Sequence, residues 1–285
     1  MADLALESFF DPKTYTLTYV VFDKETKDAV IIDPVLDYEM GSGIISDVSI
    51  NKLVSFTKSA NLNVVQILET HVHADHLTSS TELKRIFPEA KVGIGEMVTS
   101  VQKTFKEKLS LTQLDDNGSQ FDYLFKDGEE RSFGSIDIKV ISTPGHTPAC
   151  VSYLIGDMLF SGDALFMPDS GTGRCDFPDG SAKDLYHSVH EKLYNLPDET
   201  RVFVGHDYQP EGRDLIFETT IGESKAKNFQ LSSSTTKEEF IAFREKRDAT
   251  LRDPKLLIPS MQVNLDGGAL PDSELNGVKY KKENK

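Results

Sequence analysis

Several features that would point to thiol, membrane or nucleic-acid chemistry are scarce in this sequence. There are only two cysteines, Cys150 and Cys175, and neither has the C-x-x-C spacing of a cysteine-built metal site. A disulfide between them has no support, so a reducing compartment is expected. No apolar run approaches the ~18 residues that a membrane helix needs. The opening stretch, Met1 to Glu7, has no basic region, no long apolar core and two acids. It reads as neither a secretory signal nor an Arg-rich transit peptide, which makes the cytoplasm the expected location. Basic residues are outnumbered by acidic ones, 31 to 46, for a net charge of −15. Outside the short tail Lys279-Tyr280-Lys281-Lys282 there is no basic cluster, so neither nucleic acid nor an anionic membrane is expected as a partner. Internal repeats and low-complexity linkers are also missing.

What is present is an ordinary globular composition. The 285 residues are 38% apolar and 27% charged, enough for a sizeable core. The expected organisation is one domain over residues 1–285, with a C-terminal extension from about 215. Residues 15–22 alternate and read as a strand. Ala29-Val30-Ile31-Ile32 reads as its hairpin partner, closed by Asp33-Pro34. Residues 37–49 read as a loop, with Ser46, Asp47 or Ser49 as caps for the helical stripe Ile50, Leu53, Val54 and Phe56. Further strands are expected at 64–68, 91–94, 136–140, 151–155, 158–161 and 202–204, and helices at 77–87, 96–109, from Ser181 or Asp184 to Leu196, and at 236–251. Strands and helices alternate with hairpins mixed in, which means an α/β protein with mixed sheets.

One stretch organises the rest: Thr70-His71-Val72-His73-Ala74-Asp75-His76, on the loop leaving the buried strand 64–68. Alternate residues of an extended loop point the same way, so His71 and His73 can converge on one ion. Asp75 and His76 can face a second ion or shared solvent. Imidazole with carboxylate suits zinc, iron or manganese better than calcium or magnesium. Candidate ligands recur at other strand ends: His146 in the stiff turn Pro144-Gly145-His146-Thr147-Pro148, Asp163 after Gly162, and His206 after Gly205. Loops gathered at one sheet edge are where α/β proteins bind ligands.

The remaining histidines, His187 and His190, lie three apart on a helix and read as structural. Cys150 reads as buried filler. Cys175 follows Arg174, whose charge can activate a thiol, but an inert thiol is an equal reading. Arg174 and Tyr208 follow ligand loops closely and can reach an anionic substrate, arginine through its two-pronged fork.

These residues resemble the metallo-β-lactamase superfamily, whose H-x-H-x-D-H hallmark is His71-Val72-His73-Ala74-Asp75-His76, joined in order by His146, Asp163 and His206. The likeness spans roughly residues 10–210. Within the superfamily the sequence looks most like the persulfide (sulfur) dioxygenases, through residues 142–148, Thr172-Gly173-Arg174-Cys175-Asp176-Phe177, residues 185–190 and Gly205-His206-Asp207-Tyr208. The resemblance implies an αββα sandwich of two mixed β-sheets and one Fe(II) per chain, held by His71, His146 and Asp163. It also implies oxidation of glutathione persulfide by O2 and water to sulfite and glutathione. Arg174 and Tyr208 would contact the glutathione, so replacing Arg174 with alanine would mainly raise KM. His73, Asp75, His76 and His206 would orient the ligands and bound water. Stretches 37–50, 100–125 and beyond 215 exceed the family's shorter members and can alter substrate access. A homodimer and a homotetramer both stay open.

A rival reading uses the same residues. A hydrolase resembling glyoxalase II would place His71, His73 and His146 on one metal and Asp75, His76 and His206 on another, bridged by Asp163, to hydrolyse a thioester. A non-catalytic metal or persulfide sensor is a third reading.

Overall fold

Apolar alternation builds both faces of the first sheet. β1 (Leu4–Asp11), β2 (Thr16–Asp23) and β3 (Asp28–Ile32) pair as an antiparallel meander. On β2, Leu17, Tyr19 and Val21 enter one core while Val20 enters another; on β3, Val30 and Ile32 enter the first, Ala29 and Ile31 the second. A sheet buried on both sides needs such near-continuous apolar strands. The structure, a computed structural model, describes residues 2–272 and 274–283. Met1, Ser273, Asn284 and Lys285, all within the expected domain of residues 1–285, lie outside the described residues.

After a hairpin of β4 (Val35–Glu39) and β5 (Ile44–Ser46) comes α1 (Val48–Ser59). Then β6 (Asn63–Leu68) adds to β3 in parallel. β7 (Leu77–Thr78) and α2 (Ser80–Ile86) follow. β8 (Lys91–Gly95), α3 (Val98–Lys108) and β9 (Tyr123–Phe125) complete this sheet, again in parallel. The second sheet runs β10 (Glu130–Phe133), β11 (Ile136–Ser142), β12 (Val151–Ile155), β13 (Met158–Phe160), β14 (Arg201–Phe203) and β15 (Glu218–Thr220). Its pairs are antiparallel except β13 with β14. α4 (Ala182–His187) lies in the connection before β14. α5 (Ile221–Lys227), α6 (Lys237–Asp248), α7 (Leu257–Asn264) and the short β16 (Lys281–Lys282) follow the sheet.

Among the described residues the two six-stranded mixed sheets pack face to face through Ile32 and Leu68 on one side and Val140, Tyr153, Phe160 and Phe203 on the other. Leu53 of α1, Leu83 of α2 and Val101 and Phe105 of α3 cover the far face of the first sheet. Leu185, Val189 and Phe240 pack against the second sheet's cluster. This is an αββα sandwich. Each fully buried large side chain contributes about 1.5–3 kcal/mol. Among the described residues no helix is long and apolar enough to cross a membrane.

Several elements differ from the sequence expectations. Residues 37–49 are not all loop, because β4 and β5 pair there and β4 also pairs with β7. The acceptor at the start of α1 is Asp37, which takes hydrogen bonds from Ser49 N at 2.7 Å and Ser49 Oγ at 3.0 Å. The helix expected to reach Leu196 is regular only to His187, then widens into a π turn over Ser188–Lys192 and tightens into a 3-10 turn over Leu193–Asn195. Ser181 caps its start by accepting from Asp184 N. β1, β9, β10, β15, α5 and α7 were not anticipated. Most are short, and pairing or packing with distant segments decides them.

Candidate metal centre

The loops carrying the candidate ligands leave β6, β11, β13 and β14, whose last residues are Leu68, Ser142, Phe160 and Phe203. They gather at one edge of the sandwich. Two glycines permit this crowding. Gly162 has φ +51°, and a Cβ there would lie 2.7 Å from Thr70 Oγ1; one on Gly205 would lie 3.2 Å from Asp163 Oδ1.

At the centre, donor atoms of His71, His146 and Asp163 lie within 4.8 Å of one another, and all three residues are buried. Asp163 Oδ2 is 3.5 Å from His146 Nε2 and 4.0 Å from His71 Nε2. Both rings are turned by neighbours. His146 Nδ1 donates to the carbonyl of Arg174 at 2.7 Å, which leaves the Nε2 lone pair facing inward. Thr70 donates its hydroxyl proton to Asp33 Oδ2 at 2.8 Å, so its oxygen accepts from His71 Nδ1 at 3.0 Å. Again Nε2 is the free donor atom. Burial, followed by the charges of His73 and His146, holds the His71 pKa well below its ordinary value. A neutral imidazole is the form that binds metal. Burial is also the main reason that the Asp163 pKa is raised.

His73 does not share this group. It falls instead with Asp75 and His76, and also with Asp33 and Glu69. Its Nε2 is 3.1 Å from Asp33 Oδ1 and 3.7 Å from Glu69 Oε2, although its ring centroid is only 4.0 Å from that of His71. The two rings thus lie side by side, while their donor atoms fall into different three-residue groups. His206 Nε2 is 3.4 Å from both Asp75 Oδ2 and Asp163 Oδ1. His76 Nδ1 and His206 Nδ1 both approach Thr16 Oγ1, at 3.3 and 3.4 Å.

The donor set fits a transition-metal cation. His71 Nε2, His73 Nδ1, His76 Nε2, Asp163 Oδ1 and His206 Nε2 are buried without a hydrogen-bond partner. Such an orphan costs about 1–3 kcal/mol, and lone-pair donors clustered this way are relieved by a shared cation. Nitrogen and carboxylate donors suit iron, zinc or manganese.

A cavity of about 630 Å³ opens onto this centre, lined by Asp75, His146, Asp163, Arg174, Phe177 and Tyr208 among others. Tyr208 stacks on His206 at 5.5 Å between centroids and 12° between planes. Arg174 lines the cavity, but its fork already grips Asp176, Nε to Oδ1 at 2.5 Å and Nη2 to Oδ2 at 2.6 Å. Its Nη1 donates to the Arg252 carbonyl at 2.7 Å. Cys175 is buried and burial pushes its thiol up, so the inert reading holds. Burial likewise pushes Cys150 up to about 12. His187 pairs with Glu191 at 2.6 Å, and His190 stacks on Tyr186 at 4.3 Å, away from the centre.

Sequence reasoning missed three buried supports. Asp33 and Glu69 flank His73. Asn264, from α7, donates through Nδ2 to the carbonyls of His73 and His76, each at 2.8 Å, and accepts from Thr78 N at 2.8 Å. Asp33-Pro34 stood out only as a strand terminator, and nothing in the pattern around Asn264 marks it.

Comparison with known proteins agrees with this geometry. The chain is 48% identical over 277 residues to Glyoxylase B2 of Dictyostelium discoideum, covering 96% of this chain and 94% of that protein. It is 32% identical over 247 residues to the mitochondrial persulfide dioxygenase ETHE1 of Bos taurus, covering 86% and 82%. The crystal structure of ETHE1 from Myxococcus xanthus matches with a TM-score of 0.75 and 32% identity, over 93% of this chain and 100% of that one. The family model described as Metallo-beta-lactamase superfamily matches residues 12–206, which takes in every histidine and aspartate of the centre; the chain belongs to this superfamily and is one of its metal-binding enzymes.

Proposed function

We propose that the protein is a persulfide dioxygenase with one Fe(II), held by His71, His146 and Asp163. The reaction is glutathione persulfide plus O2 plus water giving glutathione, sulfite and two protons. The observation that carries this reading is the group of two imidazoles and one carboxylate, with His73 outside it. Ferrous iron held by such a set would supply a redox centre for chemistry between sulfur and O2. The likeness to a persulfide dioxygenase adds support.

The protein's own residues have definable tasks. The Arg174 carbonyl and Thr70 hydroxyl hold His146 and His71 in the tautomer that offers Nε2. His206 sits between Asp75 and Asp163; burial lowers its pKa, but these two carboxylates outweigh burial and raise it. Its Nε2 lies 3.4 Å from an oxygen of each. Phe177, edge-on to His146 at 5.1 Å, and Phe166, edge-on to Tyr208 at 5.9 Å, wall off water. Tyr208 forms the wall along which the carrier enters.

A second reading, a two-metal thioester hydrolase resembling glyoxalase II, is favoured by the relative named Glyoxylase B2 and by the second donor group of His73, Asp75 and His76. Metal content and two assays separate the two. Protein purified without added metal should carry about one iron and take up oxygen when given glutathione persulfide. Two zinc ions per chain with thioester hydrolysis and no oxygen uptake would replace the first reading by the second.

A further inference from the structure

The cavity above the metal centre is unusually basic for a chain of net charge −15: Lys13, Arg174, Arg244, Arg247 and Lys255 all line it. Two of these are already neutralised. Arg174 is clamped on Asp176, and Arg244 is buried against Asp248 with Nη1 donating to Gln230 Oε1 at 2.9 Å. The other three differ. Among the described residues, Lys13, Arg247 and Lys255 have no carboxylate partner. All three are exposed, whereas His146 and Asp163 are buried, so the cations ring the mouth and the ligands form the floor.

The three come from separate segments. Lys13 is in the turn between β1 and β2, Arg247 ends α6, and Lys255 precedes α7. Two of them belong to the extension beyond residue 215. The path from mouth to floor has an aromatic side, with Tyr15 5.7 Å from Tyr208 and Tyr208 stacked on His206. Cations left unpaired in an acidic chain, at the mouth of a cavity ending in a reactive centre, form an electrostatic funnel for an anion.

We propose that Lys13, Arg247 and Lys255 form a rim that holds the anionic tail of the sulfur carrier, and that this rim, rather than Arg174, selects the carrier. The substrate class is a thiol-bound sulfur compound whose carboxylates or phosphates lie several bonds from the sulfur. The inference rests on the reading that this cavity delivers such a compound to the metal centre.

The test is calorimetric binding of unreacted thiols to the full-length, metal-loaded protein. Glutathione carries carboxylates and coenzyme A carries phosphates, while glutathione diethyl ester and cysteamine lack an anionic tail. Glutathione or coenzyme A should bind more tightly than both tail-less thiols, and less tightly as salt rises. The stronger of the two identifies the tail chemistry. K13Q, R247Q and K255Q should each weaken that binding roughly two- to fivefold, and the R247Q/K255Q pair roughly tenfold. None should change cysteamine binding. In steady-state assays the same variants should raise KM for the anionic persulfide and leave kcat in place. Equal binding of glutathione and its diester, or a charge-reversed R247E/K255E protein that binds glutathione normally, would overturn the rim. Because the binding assay uses thiols and reads heat, it separates the two proposals. Normal tail-dependent binding without persulfide oxidation overturns the reaction alone; persulfide oxidation with tail-blind binding overturns the rim alone.

Discussion

The His146 ring is fixed by the main chain of Arg174, not by its side chain: Nδ1 donates to the Arg174 carbonyl at 2.7 Å, while the guanidinium is spent on Asp176 and the Arg252 carbonyl. The arginine thus anchors the loop that holds a ligand. Arg174→Ala should lower iron affinity and kcat together, where a residue that only binds substrate would raise KM alone. Outer partners of a metal-bound histidine are typically worth 10–100-fold in metal affinity, and Asp176→Asn should move it in the same direction. Chelator competition checks this. Unchanged iron affinity with raised KM would return Arg174 to the substrate.

His73 and Asp163 should separate in their effect on metal content. His73 faces Asp33 and lies outside the three-donor group. His73→Ala should keep about one iron per chain. Asp163→Ala removes the carboxylate that sits 3.5 Å from His146 and 4.0 Å from His71, and should leave almost none. Metal analysis by mass spectrometry reads both. Loss of iron from the His73 variant would make His73 a ligand and favour the two-metal arrangement.

Asn264→Ala should loosen the histidine loop from behind. It would orphan Thr78 N and the carbonyls of His73 and His76, which Asn264 now satisfies at 2.8 Å each. Buried orphans cost about 1–3 kcal/mol apiece, so the melting temperature should drop by roughly 5–15 °C for a chain of this size. The drop should persist in chelated protein, since the bonds do not involve the metal. A melting curve that matches the parent would show that the loop holds its shape unaided.

These supports mark the limit of what the sequence could reveal. The motif from His71 to His76 was legible because three histidines and an aspartate in six positions are rare, and His146, Asp163 and His206 each follow a recognisable strand. That such loops share one sheet edge follows from α/β topology. The surroundings of His73 were not legible, since Asp33, 3.1 Å from its Nε2, comes from the end of a different strand. Asn264 lies 191 residues from His73 and sits on a helix beyond the last element expected from the sequence. Arg174 could be placed near the site, but which of its atoms does the work depends on a turn that brings Asp176 back onto the guanidinium.

Glu69 gives the apoprotein a distinct pH dependence. Burial, with the nearby Asp33 charge adding to it, pushes its carboxyl up to about 8 from an ordinary 4.5, against the hydrogen bonds donated by Ser80 and Thr78. The folded chain therefore keeps a proton that the unfolded chain has already released. Where the unfolded state binds fewer protons, stability falls as pH rises. The stability linked to this proton is fully present below about 4.5 and is lost as the pH climbs through about 8. Glu69→Gln keeps the shape and the acceptor that faces Thr78 and Ser80 but cannot ionise. Denaturant unfolding of chelated protein across this range should show a weaker decline for the variant than for the parent, with the two diverging toward pH 8. Parallel curves would mean that Glu69 is ionised in the fold, with His73 protonated as its partner 3.7 Å away.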